Sequence, residues 1–100
     1  MARYDFIAVY LLANRKHGAL YCGVTSDLPN RLALHKLVKG SAFTAKYGCN
    51  RLVWFERHFD MPSAIRHEKR IKRWPRRWKI DLLEASKPDW RDVSMDVFVS

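Results

Sequence analysis

The sequence predicts an α/β (α+β) domain in which helices flank a three-stranded antiparallel sheet, in the order β-β-α-β-α-α. Three observations carry this expectation. Two short apolar runs, Phe6–Ala13 and Ala19–Val24, are separated by a polar Asn14–Gly18 connection. A third run, Leu52–Phe59, is centred on Val53, Trp54 and Phe55. The stretches after Thr25 and Asp60 open on helix-start residues and continue with apolar residues at helical spacing. A chain of 100 residues with 48% hydrophobic composition supports one domain with a modest core.

Ile7 and Val9, within a continuous apolar run, favour a first strand buried on both faces. The second run completes an antiparallel hairpin with it. Tyr10 shares a strand face with Phe6, Ala8 and Leu12, while Tyr21 has the opposite parity to Leu20, Cys22 and Val24. Two tyrosines thus lie on paired strands. Thr25-Ser26-Asp27 caps a helix over Leu28–Lys39, with Pro29 in its first turn and Gly40 closing it. Arg31 and His35, four apart, project from one side of that helix. Ser41–Asn50 reads as a loop carrying Lys46 and Tyr47, and the third strand follows. Asp60 and Pro62 start the next helix, and Pro75 breaks it. A last helix runs to about Ala85, with Trp78, Leu82 and Ala85 as its inward stripe. The domain is expected over residues 3–85. Residues 86–100 form a short tail that packs on the domain or extends from it, with Trp90 as its candidate anchor.

Nineteen Lys+Arg against ten Asp+Glu give a formal net charge of +9, which favours a polyanionic partner, nucleic acid first. No apolar run approaches the ~20 residues of a membrane span, and the N-terminus lacks a secretory signal pattern, so a cytoplasmic location is expected. Cys22 and Cys49 are far apart and lack partners at zinc-finger spacing, so they read as small buried residues with reduced thiols.

Glu68 is the only acid between Asp60 and Asp81, a stretch that carries Arg66, Lys69, Arg70, Lys72, Arg73, Arg76, Arg77 and Lys79. At ~100° per residue it falls mid-stripe among Met61, Ala64, Ile65 and Ile71, the side that should face the fold. A carboxylate at the edge of an apolar face, among groups that attract phosphate, suggests a metal ligand in a nucleic-acid enzyme. An ion pair with Lys72 one turn later is the structural alternative. Arg66, Arg70 and Arg73 share a side away from Glu68, suited to tracking a phosphate backbone. Arg76, Arg77 and Lys46 are further candidates for phosphate contact, whereas Trp74 and Trp78 read as core or hinge packing.

Ala8-Val9-Tyr10, Tyr21-Cys22-Gly23, Arg31, His35 and Glu68, at these spacings, resemble the GIY-YIG nuclease family, particularly its small single-domain bacterial, UPF0213-like members. The stretches Tyr21–Leu28 and Glu68–Trp74 extend the likeness over nearly the whole chain. The resemblance implies an endonuclease that hydrolyses phosphodiester bonds of DNA, with Mg²⁺ or Mn²⁺ held by Glu68. It casts Tyr10 as general base or water-positioning group and Arg31 as stabiliser of transition-state charge. Tyr21 would orient water or phosphate, and His35 would share proton handling or a phosphate contact. Arg31 and the metal are expected to lower the Tyr10 pKa by favouring phenolate.

Three residues depart from the family pattern: Ala8 replaces a glycine, Cys22 an aliphatic residue, and Lys87 the asparagine commonly found before the proline at position 88. Lys87 keeps open a catalytically weak or inactive nucleic-acid-binding module. A basic adaptor domain is the remaining alternative. With no separate DNA-binding domain evident, low sequence specificity is expected, and a protein partner is a possible route to the substrate.

Overall fold

The computed structural model describes residues 6–37 and 48–98, with the side chains of residues 35–37 and 98 outside that set. In chain order the elements are β1 (Ala8–Ala13), β2 (Leu20–Thr25), α1 (Leu28–Leu37), β3 (Arg51–Arg57), α2 (Met61–Arg73), α3 (Arg76–Glu84) and α4 (Ser94–Phe98). The strands form one antiparallel sheet in the spatial order β2-β1-β3, so the α+β reading holds. A short helix, α4, is added at the end. Gly40, Lys46 and Tyr47 lie outside the described residues.

β1 is the central strand, and all six of its residues are buried. Its continuous apolar sequence follows from that position, because each face meets a separate core. Ala8, Tyr10 and Leu12 pack with Leu28 and Leu32 of α1 and with Val93 and Val97 near the C-terminus. Val9, Leu11 and Ala13 pack with Cys22, Val53, Ala64, Ile71, Leu83 and Trp90. The sheet is therefore covered by α1 and α4 on one side and by α2 and α3 on the other. β1 and β2 pair from Ala8↔Thr25 to Ala13↔Leu20, so the hairpin connection spans 14–19, one residue longer than predicted.

α2 begins where the sequence signals it. Asp60 is the N-cap, its Oδ1 accepting a hydrogen bond from Ser63 N at 2.9 Å, with a proline in the first turn. Arg70, Lys72 and Arg73 in the last turn complement the negative end of the helix dipole. Pro75 follows and becomes the N-cap of α3. The inward side of α3 differs from the predicted stripe: Leu83 is its buried residue, and Ile80 and Leu82 pack beside it. Trp78 is 55% exposed and Ala85 is exposed. Trp78 meets the ring of Trp74 edge-on, at 5.9 Å, rather than entering the core.

Beyond α3, the chain folds back along the sheet. Val93 N donates to Leu52 O at 2.8 Å, and Asp92 Oδ1 accepts from Leu52 N at 3.3 Å and from Ser94 N at 2.9 Å. One carboxylate thus ties β3 to the start of α4. Among the described residues, no helix is long and apolar enough to cross a membrane.

Candidate functional site at the β2 edge

β1 places Tyr10 opposite Gly23 on β2, and Tyr21 lies opposite Leu12 two pairs away. The two tyrosines are therefore diagonal neighbours across the pair, with ring centroids 6.3 Å apart. Gly23 makes this possible. A Cβ there would sit 2.6 Å from both Cζ and Oη of Tyr10 and 3.0 Å from Cε2 of Tyr21. The Tyr10 ring lies over the backbone of the edge strand and is 1% exposed, so it has little room to retreat. Gly23→Ala is expected to destabilise the fold by ~1–3 kcal/mol through overpacking and to displace the Tyr10 hydroxyl. Urea unfolding, with the tyrosine ring resonances followed by NMR, checks both effects.

α1 brings Arg31 toward the same hydroxyl, and α2 brings Glu68. Both charges act on Tyr10, as does the neighbouring Tyr21. The Glu68 carboxylate is 6% exposed, as its place in the apolar stripe predicts. It does not stand alone there: Lys72 Nζ lies 2.5 Å from Glu68 Oε2, the i,i+4 pair that the sequence offers as the structural alternative. Lys72 is raised above its ordinary pKa, chiefly by this hydrogen bond, and it also senses Tyr21 and Cys22. Four candidates, Tyr10, Tyr21, Arg31 and Glu68, are thus gathered at the β2 edge. Lys72 joins them through its pairing with Glu68.

Arg31 acts on Tyr10 in the expected direction, but in the chain without a bound ion burial outweighs it. Burial pushes the phenol well above its ordinary pKa, and the negative side of Tyr21 adds to that; Arg31 pulls the other way but does not prevail. The chain by itself therefore holds Tyr10 as a neutral phenol. Cys22 responds similarly, its thiol pushed up to about 11, first by burial and then by Glu68. Cys22 and Cys49 are both free and buried, which matches the sequence reading.

The other candidates are dispersed. His35 lies on α1, with its side chain outside the described set, and Lys46 lies outside the described residues altogether. Arg66, Arg70 and Arg73 are exposed on α2. Arg77 is exposed on α3 and pairs with Asp81 at 3.3 Å. Arg76 is tied down: its Nη2 donates to His17 O at 3.2 Å and to Gly18 O at 2.6 Å, clamping the β1–β2 connection. Lys87 is half-buried in the turn after α3. Its N–H donates to Leu83 O at 2.9 Å and its carbonyl accepts from Trp90 N at 3.0 Å.

The family model of the GIY-YIG catalytic domain matches residues 6–81, a span that contains the three-stranded sheet, the tyrosine pair, Arg31 and Glu68. The chain belongs to the GIY-YIG family, and that membership implies a nuclease-type function on nucleic acid. Within the family it is similar to small UPF0213 proteins. It is 34% identical over 81 residues to UPF0213 protein OB0043 of Oceanobacillus iheyensis, covering 81% of this chain and 93% of that one. It is 36% identical over 77 residues to UPF0213 protein VPA1222 of Vibrio parahaemolyticus, covering 77% and 72% respectively. The solution NMR structure of UPF0213 protein BH0048 from Bacillus halodurans superimposes with a TM-score of 0.51 at 32% identity, covering 80% of this chain and 84% of that one.

Proposed function

We propose that the chain is a metal-dependent nuclease that hydrolyses phosphodiester bonds of DNA at the Tyr10–Glu68 edge of the sheet. The observation that carries this reading is the buried Glu68 carboxylate, held within electrostatic reach of the Tyr10 hydroxyl, whose ring in turn neighbours Tyr21. A single carboxylate is a hard-oxygen donor, which fits Mg²⁺ or Mn²⁺ with water and phosphate as the remaining ligands. When bound, such an ion supplies Lewis-acid stabilisation to a phosphate oxygen.

The chain's own residues do the rest. Tyr10, kept neutral by burial, positions the attacking water through its hydroxyl, and it takes up a proton from that water only where cationic charge outweighs burial. Arg31 is the cation on the chain that favours its phenolate, and it also stabilises charge that develops on the phosphate. Tyr21, diagonal to Tyr10, orients the water or the phosphate. Lys72 holds the Glu68 carboxylate in place and is exposed enough to swing toward an arriving phosphate. Arg66, Arg70 and Arg73 offer an exposed track for the backbone, which favours recognition of DNA shape over sequence.

A second reading is favoured by the Glu68–Lys72 pair together with Lys87 at the family's asparagine position: a nucleic-acid-binding module without turnover. One screen separates the two. Branched, nicked, single-stranded and duplex DNA, with RNA counterparts, are incubated with the protein and Mg²⁺ or Mn²⁺. The nuclease reading expects cleavage that EDTA stops. Salt-sensitive binding with no cleavage under either ion replaces it with the binding module.

A further inference from the structure

Where the end of β3 meets α2, Glu56 near the end of β3, His58 just after it, and His67 of α2 converge. Nε2 of His58 and Nε2 of His67 each lie 3.2 Å from the same atom, Oε1 of Glu56. The two imidazole rings are 5.3 Å apart, and the three donor atoms all fall within 4.8 Å of one another. Both histidines are mostly buried, while Glu56 is half exposed.

The hydrogen bonds around His58 decide which of its nitrogens carries a lone pair. Ser63 Oγ donates to Asp60 O at 3.2 Å, so it can offer only a lone pair to His58 Nδ1, 3.4 Å away. With the hydroxyl proton on Asp60 O, a neutral His58 carries its proton on Nδ1 and leaves Nε2 bare. Nε2 is buried and makes no hydrogen bond, even though Glu56 Oε1 is 3.2 Å distant. A bare imidazole nitrogen and a carboxylate oxygen that face each other at this distance are satisfied by a positive centre between them, either a proton or a metal ion. An outer partner fixed on one imidazole nitrogen, with the other nitrogen open, is also how metal-binding histidines are oriented.

The spacing fits such a centre. With metal–ligand bonds of ~2.0–2.1 Å, two ligands of a tetrahedral zinc ion are ~3.3–3.4 Å apart, close to both observed separations. Two imidazoles and one carboxylate form a donor set of borderline softness, suited to Zn²⁺ or Co²⁺ rather than to Mg²⁺. We propose that Glu56, His58 and His67 form a zinc-type divalent cation site, open to water at the fourth position, that pins α2 against the end of β3. His67 immediately precedes Glu68 in α2, so the bound ion fixes the helix that presents Glu68 while remaining separate from the Glu68 site. The proposal does not depend on nuclease activity.

Co²⁺ titration of the full chain tests it, with Zn²⁺ as competitor and thermal unfolding as a second readout. The expected result is one equivalent of Co²⁺ with tetrahedral d–d absorption, displaced by Zn²⁺, and a melting temperature that rises with Zn²⁺ concentration. Loss of an outer partner alone weakens metal sites ~10–100-fold, so His67→Gln and Glu56→Gln should each weaken Co²⁺ binding by at least that much. Circular dichroism of the metal-free variants shows that each remains folded. Absence of Co²⁺ binding to the wild-type chain, undiminished binding in His67→Gln, or a thiolate-to-cobalt charge-transfer band would each overturn the assignment.

Discussion

Glu68→Ala and Glu68→Gln are expected to lower metal-dependent DNA cleavage by ~10³-fold or more while leaving the fold intact. The activity loss follows from the role proposed for the carboxylate. An anchor for a Lewis acid at a phosphoryl centre contributes several kcal/mol to the transition state, and each ~1.4 kcal/mol is tenfold in rate. The small stability effect follows from the geometry. Lys72 is 53% exposed, so its ammonium turns to water when Glu68 is removed, and the lost pair contributes only ~0–1 kcal/mol. A neutral side chain in this nearly buried position also relieves the desolvation of a carboxylate. Cleavage rates and urea unfolding measured on the same preparations check the two halves together. Wild-type cleavage by Glu68→Gln would remove the carboxylate from the mechanism, whereas joint loss of activity and fold would assign it to structure.

The parts of this site that sequence displays are those governed by periodicity. Tyr10 and Tyr21 were placed by alternation along two strands, and Glu68 by its angle on a helix, because both periods are properties of the backbone. The titration of Tyr10 also depends on something that alternation does not encode. Its sign depends on how completely α1, β2 and the C-terminal segment exclude water, and the neighbouring cation is visible in sequence while that exclusion is not. Arg76 illustrates the same limit. It stands in a basic run, yet its partners are carbonyls at His17 and Gly18, which only the folded chain brings near. The cluster of Glu56, His58 and His67 is likewise not legible in the sequence, because its members come from a strand, the segment after it and a helix, at no recognised ligand spacing.

For the fold, strands and long helices were legible because caps, prolines and apolar runs mark them locally. α4 was not. It has only five residues, and its support is long-range: Asp92 caps it while bonding to Leu52, and Val93 and Val97 bury against α1. The rotation of α3 is not legible in the i, i+4, i+7 spacing of Trp78, Leu82 and Ala85, because Leu83 and Ile80 offer a competing apolar face. The Trp78 ring finds Trp74 at the surface, and the smaller Leu83 fills the space against the sheet.

Trp90→Ala is expected to be the most damaging single core substitution in the C-terminal segment, costing ~3–5 kcal/mol. The side chain is fully buried among Val9, Leu11 and Leu83, and its Nε1 donates to Glu84 Oε2 at 2.6 Å. Its carbonyl accepts from Arg51 Nη1 at 3.1 Å, and its ring meets the tilted ring of His17 at 5.3 Å, in the connection that Arg76 also clamps. Removal thus opens a cavity and leaves the Glu84 carboxylate without that donor. Trp90 also has a φ of 58°, in the left-handed region that costs a side-chain-bearing residue ~1–2 kcal/mol. Glycine is relieved of that strain, so Trp90→Gly should be less destabilised than Trp90→Ala by about 1 kcal/mol, the reverse of the order usual for exposed or helical positions. Urea unfolding of the two variants beside the wild type measures both differences. Against a total stability of ~5–15 kcal/mol, the alanine variant should lose a large share of its folded population at physiological temperature. An alanine cost below ~1 kcal/mol would mean that the segment after α3 only rests on the sheet, and an alanine variant more stable than the glycine one would mean that the left-handed turn at Trp90 carries no strain.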